Sequence, residues 1–360
     1  MATYPDLPAT ALGRLDTARP DGGGPPPVVL TLGKLDGVHA GHRHLVARLI
    51  AEATARGAAS AALVLHPDPA TVLTGRRVPL LTTVGDRCAR LRALGVDIVA
   101  PLEFTAEMSR LTPAAFLDRL ARWYALRAIV VGPDFAFGHD RAGNLDTLRA
   151  LGRVRGFDVV CVEPLVLAGA RVSSRRIQSL IEGGDIAAAR VLMGAPPRLR
   201  GTVIHGAARG RGLGFPTANL TLDADYVVPA DGIYTVHATW GGAPEAGAVA
   251  VGVEGADDWG ETQCDRGQSL DEPTAMPPSN WLDGVAALGV RPTFDGGPRS
   301  IEVYVLDFDG DLYGRRLTVD FLSWQRGEER FDSVDALVAQ MHADVAVARA
   351  NLAREAAGVK

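Results

Sequence analysis

The sequence predicts an α/β domain on a parallel sheet, followed by a small β-barrel with a C-terminal helix. Three observations carry that reading. Between Val28 and Gly194, short apolar runs alternate with stretches of helical periodicity, the signature of a parallel sheet wrapped by crossover helices. After Ala195-Pro196-Pro197 the pattern turns to short strands broken by turn residues. One long, alanine-rich helical segment then follows.

Residues 1–27 end in GGGPPP and read as a loose leader. Val28–Leu32 is an apolar strand, and Leu45, Val46, Leu49, Ile50 and Ala53 recur at helical spacing until Gly57. Ala61–Leu65 is the next strand. Thr83 with Asp86 forms a capping-box pattern that opens a helix to Leu94. Val96–Leu102 is a strand, and Thr112 before Pro113 starts a helix with proline in its first turn. Strands at Ala128–Val131 and Asp158–Val162 flank a helix at Leu145–Val154. Ser173 or Ser174 caps a helix reaching Glu182, and Asp185 caps another ending near Gly194. The boundary is expected near 195–199, giving domains over 28–195 and 199–356. The barrel strands are expected at Thr202–Ile204, Ile233–Ala238, Ala248–Val253, Val285–Leu288, Ile301–Leu306 and Leu317–Phe321, with the helix over Ser333–Ala356. Residues 254–283 are polar and rich in Gly, Pro and Asp, and read as a surface insertion, or more pointedly as a lid or partner site.

A net charge of −5 and 47% hydrophobic residues are those of an ordinary globular protein and give no reason to expect nucleic acid or an acidic membrane as a partner. No apolar run reaches the length of a membrane span, and no basic-then-apolar signal opens the chain. Cys88, Cys161 and Cys264 lie far apart without a CxxC pair, which points to a reducing cytoplasm.

Two segments carry chemistry. The first, Gly33-Lys34-Leu35-Asp36-Gly37-Val38-His39-Ala40-Gly41-His42, joins the first strand to the first helix. Gly37 and Gly41 let the backbone turn sharply near a ligand, and the helix N-terminus offers N–H groups to a phosphate. His39 and His42 are spaced to share one side of that turn and to donate hydrogen bonds to a pentavalent phosphorus. The second, His205-Gly206-Ala207-Ala208-Arg209-Gly210-Arg211-Gly212-Leu213-Gly214-Phe215-Pro216-Thr217-Ala218-Asn219, is a glycine-rich phosphate loop without the GxxxxGK[ST] pattern. Thr217 and Asn219 offer neutral oxygens suited to Mg²⁺. Arg209 and Arg211 are candidates for phosphate, or for a solvated basic loop. Trp240, Trp259, Trp281 and Trp324 are read as packing residues before ligand-stacking ones.

The first segment resembles the GxFDGVHxGH motif of bacterial bifunctional riboflavin kinase/FMN adenylyltransferases (FAD synthetases), and the resemblance extends over nearly the whole chain. Val131–Gly138 is similar to the family's VGxDFxFG loop, and Val172–Gln178 to its (V/I)SSTRIR segment. Residues 206–219 are similar to its GxxRGRxLGFPTAN signature, and Gly289–Phe294 to its GxRPTF. The resemblance implies a Rossmann-like nucleotidyltransferase domain and a riboflavin-kinase-type barrel. It implies ATP as co-substrate, Mg²⁺ as cofactor, and riboflavin and FMN as substrates. The implied catalytic residues are Glu302, as base toward the riboflavin 5′-hydroxyl, with His39 and His42 for adenylyl transfer. Nucleotide and flavin contacts are implied for Gly33, Asp36, Gly41, Asp134, Phe135, Phe137, Ser173, Ser174, Arg175 and Arg176 in the first domain. In the second they are implied for Gly206, Arg209, Arg211, Gly214, Pro216, Arg291 and Thr293, with Thr217 and Asn219 on the metal. Phe135 and Phe137 fit the core as well as a pocket.

Departures from the family pattern gather in the first domain. Leu35 stands where Phe is usual, Leu65-His66-Pro67-Asp68-Pro69 replaces FDPHP, and Arg175 and Gln178 replace Thr and the final Arg of SSTxxR. Arg175 lies one turn before Gln178 and is the expected substitute for the missing charge. These departures keep open a kinase with altered nucleotidyl transfer, and beside it a non-catalytic flavin-binding protein.

Overall fold

A computed structural model describes residues 25–206, 212–241, 281–289 and 299–357. In the first compact unit, β1 (Pro27–Gly33), β2 (Ala59–His66), β3 (Ile98–Glu103), β4 (Ala125–Val131) and β5 (Asp158–Cys161) form one sheet in the order β3-β2-β1-β4-β5. Every neighbouring pair is parallel. The helices are α1 (Ala40–Ala55), α2 (Pro69–Thr74), α3 (Val84–Ala93), α4 (Pro113–Leu120) and α5 (Leu145–Arg155). Side chains alternate across a strand, so the apolar run of β1 serves two layers. Val28, Leu30 and Leu32 pack with Leu117, Leu120 and Leu148 of α4 and α5. Val29 packs with Val46 and Leu49 of α1 and Cys88 and Leu91 of α3. Thr83, Thr112 and Asn144 cap α3, α4 and α5 through side-chain acceptors.

The strand order reverses between β1 and β4, so the crevice at their carboxyl ends is the natural ligand site of this architecture. Both sequence motifs of the first domain leave these two strands. Two features were not expected. The six residues of α2 are too few to show a period, and a hairpin of β6 (Val166–Leu167) and β7 (Ala170–Arg171) has two residues per strand.

The second unit begins with α6 (Ser174–Glu182) and α7 (Ile186–Met193). The compact units divide at Ser174/Arg175, ahead of the boundary expected near 195–199. The reason is packing: Ile186 lies in the barrel core, and Arg190 Nη1 donates to Leu322 O at 2.8 Å. The strands β8 (Arg198–Ile204), β9 (Ala218–Leu222), β10 (Gly232–Gly241), β11 (Leu282–Gly289), β12 (Ser300–Val305) and β13 (Arg316–Arg326) close into an antiparallel barrel, ordered β10-β11-β12-β9-β8-β13. Its core contains Val203, Tyr234, Val236, Ala286, Leu288, Val303, Leu317, Val319 and Phe321. Helix α8 (Val334–Ala356) lies against the outer wall, where Ala348 and Leu352 meet Val285 and Leu322. The expected strand Ala248–Val253 lies outside the described residues, as does most of 254–283, although Leu282 and Asp283 belong to β11. Strand β9 was not expected, and its first two residues, Ala218 and Asn219, lie in the segment read as a ligand loop.

Candidate functional site

In the first unit the chain leaves β1 through a short strained loop. Leu35 has φ 48°, Gly37 φ 82° and Val38 φ 43°. A β-branched residue in the left-handed region stores strain of about 1–3 kcal/mol, so the surroundings must hold it. Gly37 N–H donates to Thr82 Oγ1 at 2.9 Å, Arg43 Nε donates to Val38 O at 3.2 Å, and Arg90 Nη1 donates to Gly37 O at 3.2 Å. Asp36 is part of this brace. Its buried carboxylate accepts from Leu81 N and Thr82 N, each at 3.0 Å, and pairs with Arg87 Nη2 at 2.9 Å. Its carboxylate oxygens thus turn into the protein and fix the loop. Arg87 also reaches Thr82 O and Lys34 O. Nothing nearby in sequence signals Arg87, which lies 51 residues after Asp36 (87 − 36).

The loop delivers His39 to the N-cap of α1, where its Nδ1 accepts from His42 N–H at 3.3 Å. That bond assigns the proton to Nε2, which is then the donor. The two imidazoles stack with centroids 3.7 Å apart and planes 14° apart. Burial pushes His39 down from 6.5 to about 4, and the Arg171 and Arg43 charges add to this. Burial also holds His42 well below 6.5, helped by His39, Arg87 and Lys34. The side chain of His42 is half-buried, but its Nδ1 is sealed from solvent and has no hydrogen-bond partner. Both rings are thus neutral donors at pH 7, able to hydrogen-bond a phosphoryl oxygen but not to neutralise it. Gly41 leaves room for the pairing, since a Cβ there would lie a tight 3.2 Å from His39 Cε1.

Gly33, at the end of β1, is half-buried. After β4, Asp134 is exposed and pairs with Arg171 of the β6–β7 hairpin. Phe137 is a core residue, 7% exposed, stacked on Phe135 and tilted against Phe116. Of the two places expected for it, the core is the one seen, while the half-buried Phe135 lies at the surface of that cluster. Ser174 Oγ donates to Asp36 O at 3.2 Å, and Ser173 is half-buried. Arg175 is exposed and Arg176 half-buried at the start of α6, within the second unit.

In the barrel, pleating decides what faces outward. Ile301, Val303 and Val305 of β12 and Ala218 and Leu220 of β9 point into the core. Glu302 and Asn219 therefore stand on the outer wall, directly opposite each other in register. Thr217 Oγ1 donates to Glu302 Oε2 at 3.1 Å. Gly206 is required beside them, because a Cβ would fall on the Asn219 amide. Gly214 has φ 85°, and Pro216 is exposed. Phe215 is buried edge-on against Tyr304 of β12 and His342 of α8, which anchors the Pro216-Thr217 turn to the wall. The exposed His205 ring stacks on Tyr313 at 3.8 Å. Arg209, Arg211, Arg291 and Thr293 lie outside the described residues. Trp240 packs on Phe308, Arg198 sits over Trp281, and Trp324 is 47% exposed.

The chain matches two families, one described as FAD synthetase over residues 24–176 and one as riboflavin kinase over residues 193–352. It is 36% identical to a bifunctional riboflavin kinase/FMN adenylyltransferase of Pseudomonas fluorescens, over 89% of this chain and 92% of that protein. The protein of the same name from Listeria monocytogenes is 32% identical, over 91% of this chain and 93% of its own length. A solved structure titled macrolide-efflux protein, from Streptococcus pneumoniae, superposes with a TM-score of 0.71 at 28% identity, covering 91% of this chain and 95% of that one. Among the described residues, no helix is long and apolar enough to cross a membrane.

Proposed function

From the premise that the chain belongs to the bifunctional riboflavin kinase/FMN adenylyltransferase family, we propose that its two motif sites act in series on one flavin. The enzyme phosphorylates riboflavin to FMN with ATP, and it adenylylates FMN to FAD with a second ATP. The observation that carries the residue assignment is the cluster of Thr217, Glu302 and Asn219 on the barrel wall.

In our reading Glu302 accepts the proton of the ribityl 5′-hydroxyl as the γ-phosphoryl group moves to that oxygen. Thr217 orients the carboxylate by its hydrogen bond. The oxygen donors of Thr217 and Asn219 fit Mg²⁺, which binds hard neutral oxygens together with phosphates. When bound, Mg²⁺ would neutralise phosphate charge. Gly206, Gly214 and Pro216 shape the loop, and Arg209, Arg211, Arg291 and Thr293 are assigned to nucleotide or flavin by the motif alone.

For the second reaction, His39 Nε2–H and His42 donate to the α-phosphoryl oxygens while the FMN phosphate attacks and pyrophosphate leaves. Gly33, Gly41, Asp134, Phe135, Ser173, Ser174 and Arg176 line the path of the nucleotide and flavin in this reading. Arg175 supplies charge in place of Gln178, and Arg175→Ala is expected to slow adenylyl transfer. Unchanged FAD formation in that variant removes the assignment. The free thiols of Cys88 and Cys161 support a reducing compartment, for which we propose the cytoplasm. The deciding experiment incubates the protein with riboflavin, ATP and Mg²⁺ and separates the flavins. FMN followed by FAD is expected, whereas FMN alone would remove the second activity and no product would remove both.

A further inference from the structure

Expulsion of pyrophosphate builds negative charge on the departing oxygen, and preorganised cations or donors must meet it. The histidine pair cannot supply net charge, because burial keeps both rings neutral near pH 7. Four cations act on the pair: Lys34 and Arg87 on His42, Arg171 and Arg43 on His39. Arg87 is buried and braces Asp36, Thr82 and the Lys34 carbonyl. Arg43 is tied through Nε to Val38 O, and Arg171 pairs with Asp134 from the hairpin.

Lys34 is placed differently. It follows Gly33 at the carboxyl end of β1, on the edge of the sheet where this architecture takes its ligands. Its side chain is 50% exposed, and Nζ lies 2.9 Å from Asp68 Oδ2. The Asp68 carboxylate is itself fixed, being 8% exposed and capping α2 by accepting from Ala70 N at 2.8 Å through Oδ1. A long side chain is thereby pinned at one end of its reach while half of its surface stays exposed. An ammonium has three N–H donors, so one to Asp68 leaves two for phosphate oxygens.

We infer that Lys34 contacts the β- and γ-phosphates of ATP at the histidine site and the pyrophosphate that leaves, with Asp68 as its positioning residue. This rests on the adenylyl-transfer reading. In the step, an FMN phosphate oxygen bonds to the α-phosphorus, and the bond from that phosphorus to the bridging oxygen breaks. The electron pair departs on pyrophosphate, beside the Lys34 ammonium, and no proton is transferred by Lys34.

The test measures FAD formation from FMN and ATP, and the reverse reaction from FAD and pyrophosphate, in the full chain. Lys34→Met is expected to lower kcat/KM for both ATP and pyrophosphate about 10- to 100-fold, the worth of a hydrogen bond to a charged group. The KM for FMN should stay within about twofold, and Lys34→Arg should recover most of the loss, because it restores the charge. Wild-type protein that makes no FAD overturns the adenylyl-transfer reading and this inference with it. Active wild type with Lys34→Met unchanged toward ATP and pyrophosphate overturns the inference alone. So does an equal loss in Lys34→Met and Lys34→Arg accompanied by a lowered unfolding midpoint, since that is the mark of a merely structural lysine.

Discussion

Glu302 and Thr217 are joined by one hydrogen bond, so a change at Glu302 can remove the proposed base while keeping the bond. Glu302→Gln does this, because the amide oxygen still accepts from Thr217. Formation of FMN from riboflavin should fall about 10²–10⁴-fold in kcat, the usual worth of a positioned base. FAD formation from supplied FMN should hold, and a loss of less than tenfold in FMN formation would place the base elsewhere. Gly41→Ala tests the other site. Its methyl group would crowd His39 at 3.2 Å from Cε1 and 3.3 Å from Nδ1, tilting a ring that stacks on His42. FAD formation should drop tenfold or more by our estimate, with FMN formation and the unfolding midpoint little changed. The approach of His39 to His42 was legible in the sequence because it is local, one helical turn, whereas Glu302 was singled out by the resemblance and its place opposite Asn219 needed the register of β9 and β12. The inward hydrogen bonds of Asp36 were not legible, and for Phe137 the sequence left core and pocket even. The partners that draw Asp36 inward are Leu81, Thr82 and Arg87, and Phe137 settles against Phe116, contacts that no short motif encodes.

The loop between β1 and α1 is an element under strain, and the Asp36–Arg87 pair is its anchor. Both side chains are buried, at 7% and 2% exposure. Arg87→Met leaves a carboxylate in the interior without its cation, which costs about 3–5 kcal/mol. Denaturant unfolding of the first unit should show that loss. Asp36→Asn added to Arg87→Met should recover part of it, because the uncompensated charge is then gone; a double variant no better than Arg87→Met would mean that the pair is not the anchor. Elements with their own caps, such as α3 and α4, could be read directly from Thr83 and Thr112. Those that depend on distant partners could not. Strand β9 exists because β8 and β12 pair with it on either side, and its residues by themselves resemble loop. The helices α6 and α7 look from sequence like a continuation of the α/β pattern, yet α7 buries Ile186 in the barrel.

The buried histidines make the first unit sensitive to acid, which gives a test of the whole molecule. His39 is lowered from 6.5 to about 4 and His42 well below 6.5, both mainly by burial. Between those values the unfolded chain binds more protons than the folded one, so stability rises with pH. The first unit is at full strength above pH 6.5 and weakens as pH falls toward 4, by roughly 3 kcal/mol from His39 alone. Burial lowers His66 as well, in the same direction. In the barrel unit, burial raises Glu328 above 4.5, with Asp231 adding to it. Its folded form therefore holds its proton more tightly than the unfolded chain, and acid in this window does not weaken the barrel through that group. FAD formation from FMN should consequently show no break between pH 8 and 6.5, where both histidines are already neutral. It should be lost before FMN formation as pH falls from about 6 to 4.5. The measurement is the initial rate of each half-reaction at each pH, with the unfolding midpoint followed in parallel. Equal acid loss of both half-reactions would mean that the histidine pair does not set the acid limit of the first unit, and an adenylyl-transfer rate that rises below pH 6 would require the imidazolium, not the neutral ring, at the phosphoryl group.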